Sequence, residues 1–123
     1  GRPDGGRATR AWRVPEMEFS KPQARALINL AYLTVGALPL GGEAVVEARP
    51  EGGMLTIEGR ATGGRARLKP EAVAGLNGQR LVEGLAGQWI QPYWLWLTAT
   101  EAGGELHLEV EEGLVVMTAR MPA

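Results

Sequence analysis

The stretch from Ala24 to Gly42, ARALINLAYLTVGALPLGG, decides how this chain is read. Leu27, Leu30, Ala31, Thr34 and Leu38 recur at helical spacing, so one side of a helix faces a sheet. Just upstream, Ser20 and Gln23 have the spacing of a capping box, and Pro22 is tolerated in a first turn. Pro39 and Gly41-Gly42 then stop the helix and turn the chain toward a strand. A sheet-facing helix followed at once by a strand marks a protein that layers helices on a sheet.

Working outward, Ala11–Val14 and Glu18-Phe19 suggest a first extended segment. After the helix, Ala44–Arg49 and Met54–Arg60 read as two strands joined by the hairpin signal Pro50-Glu51-Gly52-Gly53. Leu55 and Ile57 alternate with Thr56 and Glu58, the pattern of a half-buried strand. Gly63–Leu68 is short and basic, a loop or strand extension, and Pro70–Leu76 is one or two helical turns that stop at Asn77-Gly78. A second long helix is expected from about Gln88 to Ala102, ended by Gly103-Gly104. Two more strands follow, Glu105–Val110 and Leu114–Met121, turned by Glu111-Glu112-Gly113. The expected fold is an α+β two-layer sandwich. Helices cover one face of a mixed sheet, and Glu105, His107 and Glu109 wet the other.

Composition bounds the function. A chain of 123 residues holds one domain with one core. There is no apolar run of eighteen residues and no signal segment, and there are no cysteines for disulfides or thiolate metal sites. Thirteen basic against fourteen acidic residues give no field that would steer the chain to nucleic acid. A cytoplasmic domain without nucleic-acid or membrane partners is the expectation. The chain starts with Gly rather than Met, as a piece of a longer protein would. Residues 1–10 are Gly/Arg-rich, too poor in apolar residues to offset ordering entropy, and are expected to be a disordered leader or linker. The domain proper is expected over residues 11–122.

The Ala24–Gly42 stretch resembles the nucleotide-binding helix of sensor histidine kinase ATPase domains, where the pattern runs N-L-L-x-N-A-x-K-x-T-P-x-G-G. Asn29 matches the first Asn, and Pro39, Gly41 and Gly42 match P-x-G-G. The second Asn, which in that family holds the metal on the phosphates, falls on Leu33, and the Lys falls on Gly36. The strand after the hairpin should end in D-x-G-x-G, whose Asp reads the adenine amino group. Here Arg60-Ala61-Thr62-Gly63-Gly64 stands in that place, with Ala61 for the Asp. An alanine cannot accept that hydrogen bond. The glycine-rich lid is replaced by Trp89-Ile90-Gln91-Pro92-Tyr93. The resemblance therefore implies a GHKL-type frame with a degenerate nucleotide site at Asn29, Leu33, Ala61 and Gly63, and no cofactor.

One family combines that frame with that loss, the ChpT-like histidine phosphotransferases. The chain is similar to their C-terminal domain in Trp12-Arg13-Val14-Pro15, Leu27-Ile28-Asn29-Leu30, Ala37-Leu38-Pro39-Leu40-Gly41-Gly42 and Ile90-Gln91-Pro92-Tyr93. An Arg would be more usual than Leu40. The resemblance implies a bacterial phosphorelay, with a hybrid histidine kinase and response-regulator receiver domains as partners. It also implies a homodimer formed through an N-terminal helical hairpin that carries the phosphorylated His. The only histidine here, His107, lies on a strand between Glu105 and Glu109, which repel a phosphoryl donor, so no catalytic residue is assigned. The residues Glu109, Glu111 and Glu112 have no His or Asp at ligand spacing and read as a solvated edge rather than a metal site. Trp89, Tyr93 and Trp96 fall on one helix sector and Ile90, Trp94 and Leu97 on the next, wider than one sheet face buries. Either both sectors are core, aided by Leu81, Val82 and the Pro70–Leu76 segment, or Trp89 or Trp96 remains exposed and the Trp89, Tyr93 and Trp96 sector docks a partner. The alternatives on the same frame are an ATP-binding kinase domain and a free-standing interaction module.

Overall fold

The computed structural model describes residues 8–123. The elements run β1 (Ala8–Arg13), α1 (Lys21–Gly36), β2 (Gly42–Glu51), β3 (Met54–Thr62), α2 (Pro70–Leu76), α3 (Ala86–Glu101), β4 (Glu105–Glu111) and β5 (Leu114–Pro122). The five strands form one sheet in the order β1-β2-β3-β5-β4. β1 and β2 pair in parallel because α1 crosses over between them, while the two hairpins and the β3–β5 pair are antiparallel. This is the mixed two-layer α+β sandwich that the pattern predicts.

The helix α1 starts where its caps put it. Ser20 Oγ accepts from the Gln23 amide at 3.2 Å, and the Ser20 amide donates to Gln23 Oε1 at 2.8 Å. The Gln23 Nε2 then donates to the carbonyl of Pro122 at 2.9 Å, fastening the helix start to the end of β5. Leu27, Leu30 and Thr34 are buried beneath the helix. Its approach to the sheet is closest at Gly59 of β3, where a Cβ would strike Thr34 Oγ1 and meet Leu30 Cδ2 at 2.7 Å. Glycine is the residue that lets helix and strand approach so closely. Leu55, Ile57, Ala61, Val115, Met117, Ala119 and Met121 complete the core from β3 and β5.

The opposite sheet face is polar and laid out in rows. One row carries Arg49, Thr56, Arg120 and Glu105 across β2, β3, β5 and β4. Thr56 was expected to face water, yet it is buried. Its cross-strand neighbours are Arg49 and Arg120, long side chains able to shield a short one, and its Oγ1 donates to Glu51 Oε1 at 3.2 Å. Arg49 meets Glu47 at 3.0 Å and Arg120 meets Glu105 at 3.6 Å, exposed pairs worth little individually.

One boundary and one packing expectation differ from the sequence reading. β1 begins at Ala8, because Ala8 to Arg10 pair with Gly42 to Ala44, so the sheet extends into the segment expected as a leader. The remainder of that expected leader, residues 1–7, lies outside the described residues. Val82, expected to help cover the long helix, is 93% exposed.

Candidate functional site

The positions matched to the kinase nucleotide site lie on α1 and at the far end of β3, and the structure does not gather them into one cavity. Asn29 sits midway along α1 and its Nδ2 donates to the backbone carbonyl of Gln91 at 3.0 Å. That carbonyl precedes Pro92, which is buried inside α3 without an N–H of its own. The Asn29 amide thus holds α1 against α3. Its Oδ1 is buried with no hydrogen-bond partner among the described residues. Part of the side chain is thus satisfied by the backbone of the neighbouring helix.

Leu33, one turn on, packs half-buried against the core. It borders a cleft of about 330 Å³ whose rim includes Gly36, Pro39, Arg67, Lys69 and Gln88. Ala61 is fully buried on the helix-facing side of β3, between Ala44 of β2 and Val115 of β5. A methyl group in that position offers no acceptor to any ligand. The Gly63 amide donates to the carbonyl of Gly113 at 3.1 Å, and a Cβ there would meet the Gly41 carbonyl at 2.7 Å. Gly63 therefore serves the close packing of three turns. Among the described residues no group of His, Asp and Glu could hold a metal ion.

The aromatic residues divide between two jobs. Trp89 stacks on Tyr93 at a centroid distance of 4.5 Å, and Tyr93 on Trp96 at 5.7 Å. The Trp89 Nε1 donates to the Gln79 carbonyl at 2.9 Å, and the Trp96 ring lies against Gly78, where a Cβ would strike it. This ladder is half-buried and clamps α2 and its following turn onto α3, which leaves only part of each ring facing outward. The turn is held from its other side too. The Leu85 amide donates to Glu71 Oε2 at 3.0 Å, and chiefly that bond lowers the Glu71 carboxyl below its ordinary range.

The exposed aromatic on α3 is Trp94, which sequence reasoning assigned only to the neighbouring sector. It is 58% exposed and stands across a groove from Ile28, 68% exposed, and Tyr32, 69% exposed. Helical spacing carried the signal, since Ile28 and Tyr32 lie four apart on α1. Which sector α2 covers was not readable without the fold.

His107 stands on the polar sheet face, with Nε2 3.1 Å from Glu105 Oε1. Nearby on the same edge strand, a hydrogen bond with Glu111 and that group's charge raise the Glu109 carboxyl. These acids line an exposed strand edge, where charge discourages pairing with another chain.

Comparison with known proteins follows the same lines. The sequence profile described as "Histidine phosphotransferase C-terminal domain" matches residues 3–113. No curated protein matches by sequence. Among solved structures, a bacterial phosphotransferase superposes with a TM-score of 0.80 at 22% identity, over 92% of this chain and 55% of that one. The Acinetobacter baumannii histidine kinase AdeS superposes at 0.65 with 8% identity, over 97% and 56%. A histidine kinase domain of the Erythrobacter litoralis blue-light activated kinase gives 0.68 with 14% identity, over 95% and 52%. At these identities the likeness is one of fold, and this chain spans little more than half the length of each of these solved chains.

Proposed function

This chain belongs to the family of histidine phosphotransferase C-terminal domains, and from that premise we propose that it is a docking and orienting domain that does not bind ATP. In this reading it sits beside a phosphorylated histidine carried on a helical hairpin outside the given sequence. It helps to place a response-regulator receiver domain there, within a cytoplasmic phosphorelay fed by a hybrid histidine kinase. The longer protein forms a homodimer through that hairpin. The domain is taken as residues 11–122, with the β1 residues Ala8–Arg10 joined to it by their pairing with β2.

The observation that carries the reading is Ala61. At the position where the kinases read adenine, the chain buries a methyl group inside its core. Leu33, in place of the metal-holding Asn, supports it, as does the Trp89–Tyr93 pair in place of a glycine-rich lid. Asn29 and Gly63, the matched residues that survive, are engaged in helix packing and turn packing. The kinase alternative needs an adenine acceptor and a metal-side amide, and neither residue is of the required type.

The same reading puts the phosphoryl acceptor outside this chain, and the setting of His107 supports it. A relay histidine must attack an acyl phosphate with a free imidazole nitrogen. The Nε2 of His107 is held 3.1 Å from a carboxylate on an acidic strand. Two measurements test the proposal. Titration with unphosphorylated receiver domains is expected to show saturable binding to at least one. Incubation with a phosphorylated receiver is expected to leave the domain unlabelled. Acid-labile label on His107, or no receiver binding at all, would contradict it.

A further inference from the structure

The outer face of the helix layer carries a groove that no described residue fills. Both Gln23 at the start of α1 and Gly103 after α3 meet Pro122, whereas Asn29 meets Gln91, so the two helices run antiparallel. The groove is lined from Arg25 to Tyr32 on α1 and from Gln91 to Glu101 on α3, a channel about 10–15 Å long at the usual helical rise. Its volume is about 670 Å³. On α1, Arg25, Ile28 and Tyr32 point into it at positions i, i+3 and i+7. On α3, Trp94, Leu97 and Glu101 do the same.

The geometry points to this groove as the binding site for an amphipathic helix of a partner protein. The helix carries an apolar stripe, and near one end it has an acidic and a basic residue one turn apart. Three features argue for that occupant. The groove lies between two parallel-sided helical ridges, the shape into which a third helix packs. Its body is mostly apolar, interrupted by Asn29, Gln91 and Thr98, and Ile28, Tyr32 and Trp94 together expose more large hydrophobic surface than scattered surface residues would. Charge then fixes the polarity. Arg25 and Glu101 mark the end of the groove nearest Pro122, and neither has an ion-pair partner among the described residues. A neutral pair of opposite charges on the incoming helix satisfies both. A second copy related by a two-fold axis would instead set groove against groove, concave against concave.

This goes beyond the docking role proposed above and does not depend on it, because it assigns a surface and a ligand chemistry whatever the partner's function. The test is a display library of helices of about 20 residues, varied in stripe and flanking charge, sorted on the intact domain. Enriched helices are expected to share the stripe and the charge pair, and to bind Trp94→Ala at least about tenfold more weakly, the loss of a central aromatic anchor. Circular dichroism confirms that this variant is folded. Exchanging the two groove charges (R25E with E101R) is expected to weaken binding, and exchanging the two charges on the helix should restore it. Equal enrichment on wild type and Trp94→Ala overturns the proposal, as does indifference to the charge exchange. Concentration-dependent dimerisation that Trp94→Ala abolishes also overturns it, by giving the groove to a second copy. A receiver that fails to bind leaves it standing.

Discussion

Replacing Trp96 by Ala and, separately, Trp94 by Ala distinguishes the two sectors of α3. Truncating a fully buried Trp costs about 3–5 kcal/mol. The Trp96 ring is only half-buried, which reduces that figure. Against this, it stacks on Tyr93 at 5.7 Å, and losing an aromatic pair adds about 0.5–1.5 kcal/mol. It also fills the space over Gly78, so its removal frees the turn that ends α2. About 3 kcal/mol is the expected loss for Trp96→Ala, a fall of roughly 10 °C in Tm for a domain of this size. Trp94 rests on the rim of a groove at 58% exposure, and Trp94→Ala is expected to change stability by less than about 0.5 kcal/mol. Urea and thermal unfolding followed by circular dichroism give both values. The reasoning fails if Trp96→Ala unfolds within 0.5 kcal/mol of wild type, the limit for an ordinary surface change. It fails equally if Trp94→Ala is as damaging as Trp96→Ala.

Three further outcomes follow from the same geometry. Gly59→Ala drives a methyl into Thr34 and Leu30 and should cost about 1–3 kcal/mol, the range for overpacking, with part regained when Thr34→Ala is added; unfolding midpoints in urea measure both. Asn29→Ala loses one hydrogen bond but also removes a buried unpaired oxygen, so it is expected to stay within about 1 kcal/mol of wild type in the same assay. The two shifted acids carry opposite signs in a melting series against pH. Glu71 has a lowered carboxyl, so its stabilisation is present at neutral pH and fades as pH falls through the folded value; the gap to Glu71→Gln should close in acid. Glu109 has a raised carboxyl, so its contribution is most favourable in acid and is lost as pH rises through the folded value; Glu109→Gln should gain on wild type toward neutral pH.

The local parts of this structure were legible from local chemistry. The Ser20–Gln23 capping box and the Gly52–Gly53 hairpin need only their own neighbours to form, and both stand where the sequence puts them. Five strands and three helices in the expected order produce the expected sandwich. What escaped the sequence depends on distant partners. The alternation of β3 puts Thr56 toward water, and only the register with Arg49 and Arg120 covers it. The strand β1 reaches back to Ala8 because Gly42 is its partner, a pairing 34 positions away. On α3 the helical period separates two aromatic sectors but cannot say which one α2 covers. Of the candidate site, the residue types at Leu33 and Ala61 were readable as losses. That Asn29 bonds the Gln91 carbonyl was not, since it needs the antiparallel contact of α1 with α3.

The central claim is that the kinase frame persists without its nucleotide site. Titrating Mg-ATP into the folded domain, with backbone amide chemical shifts as the readout, tests it most directly. The account predicts no saturable shift up to millimolar nucleotide, around the weak end of specific binding. Saturable shifts of the amides lining the cleft around Leu33 and Gln88, at micromolar nucleotide, would contradict it.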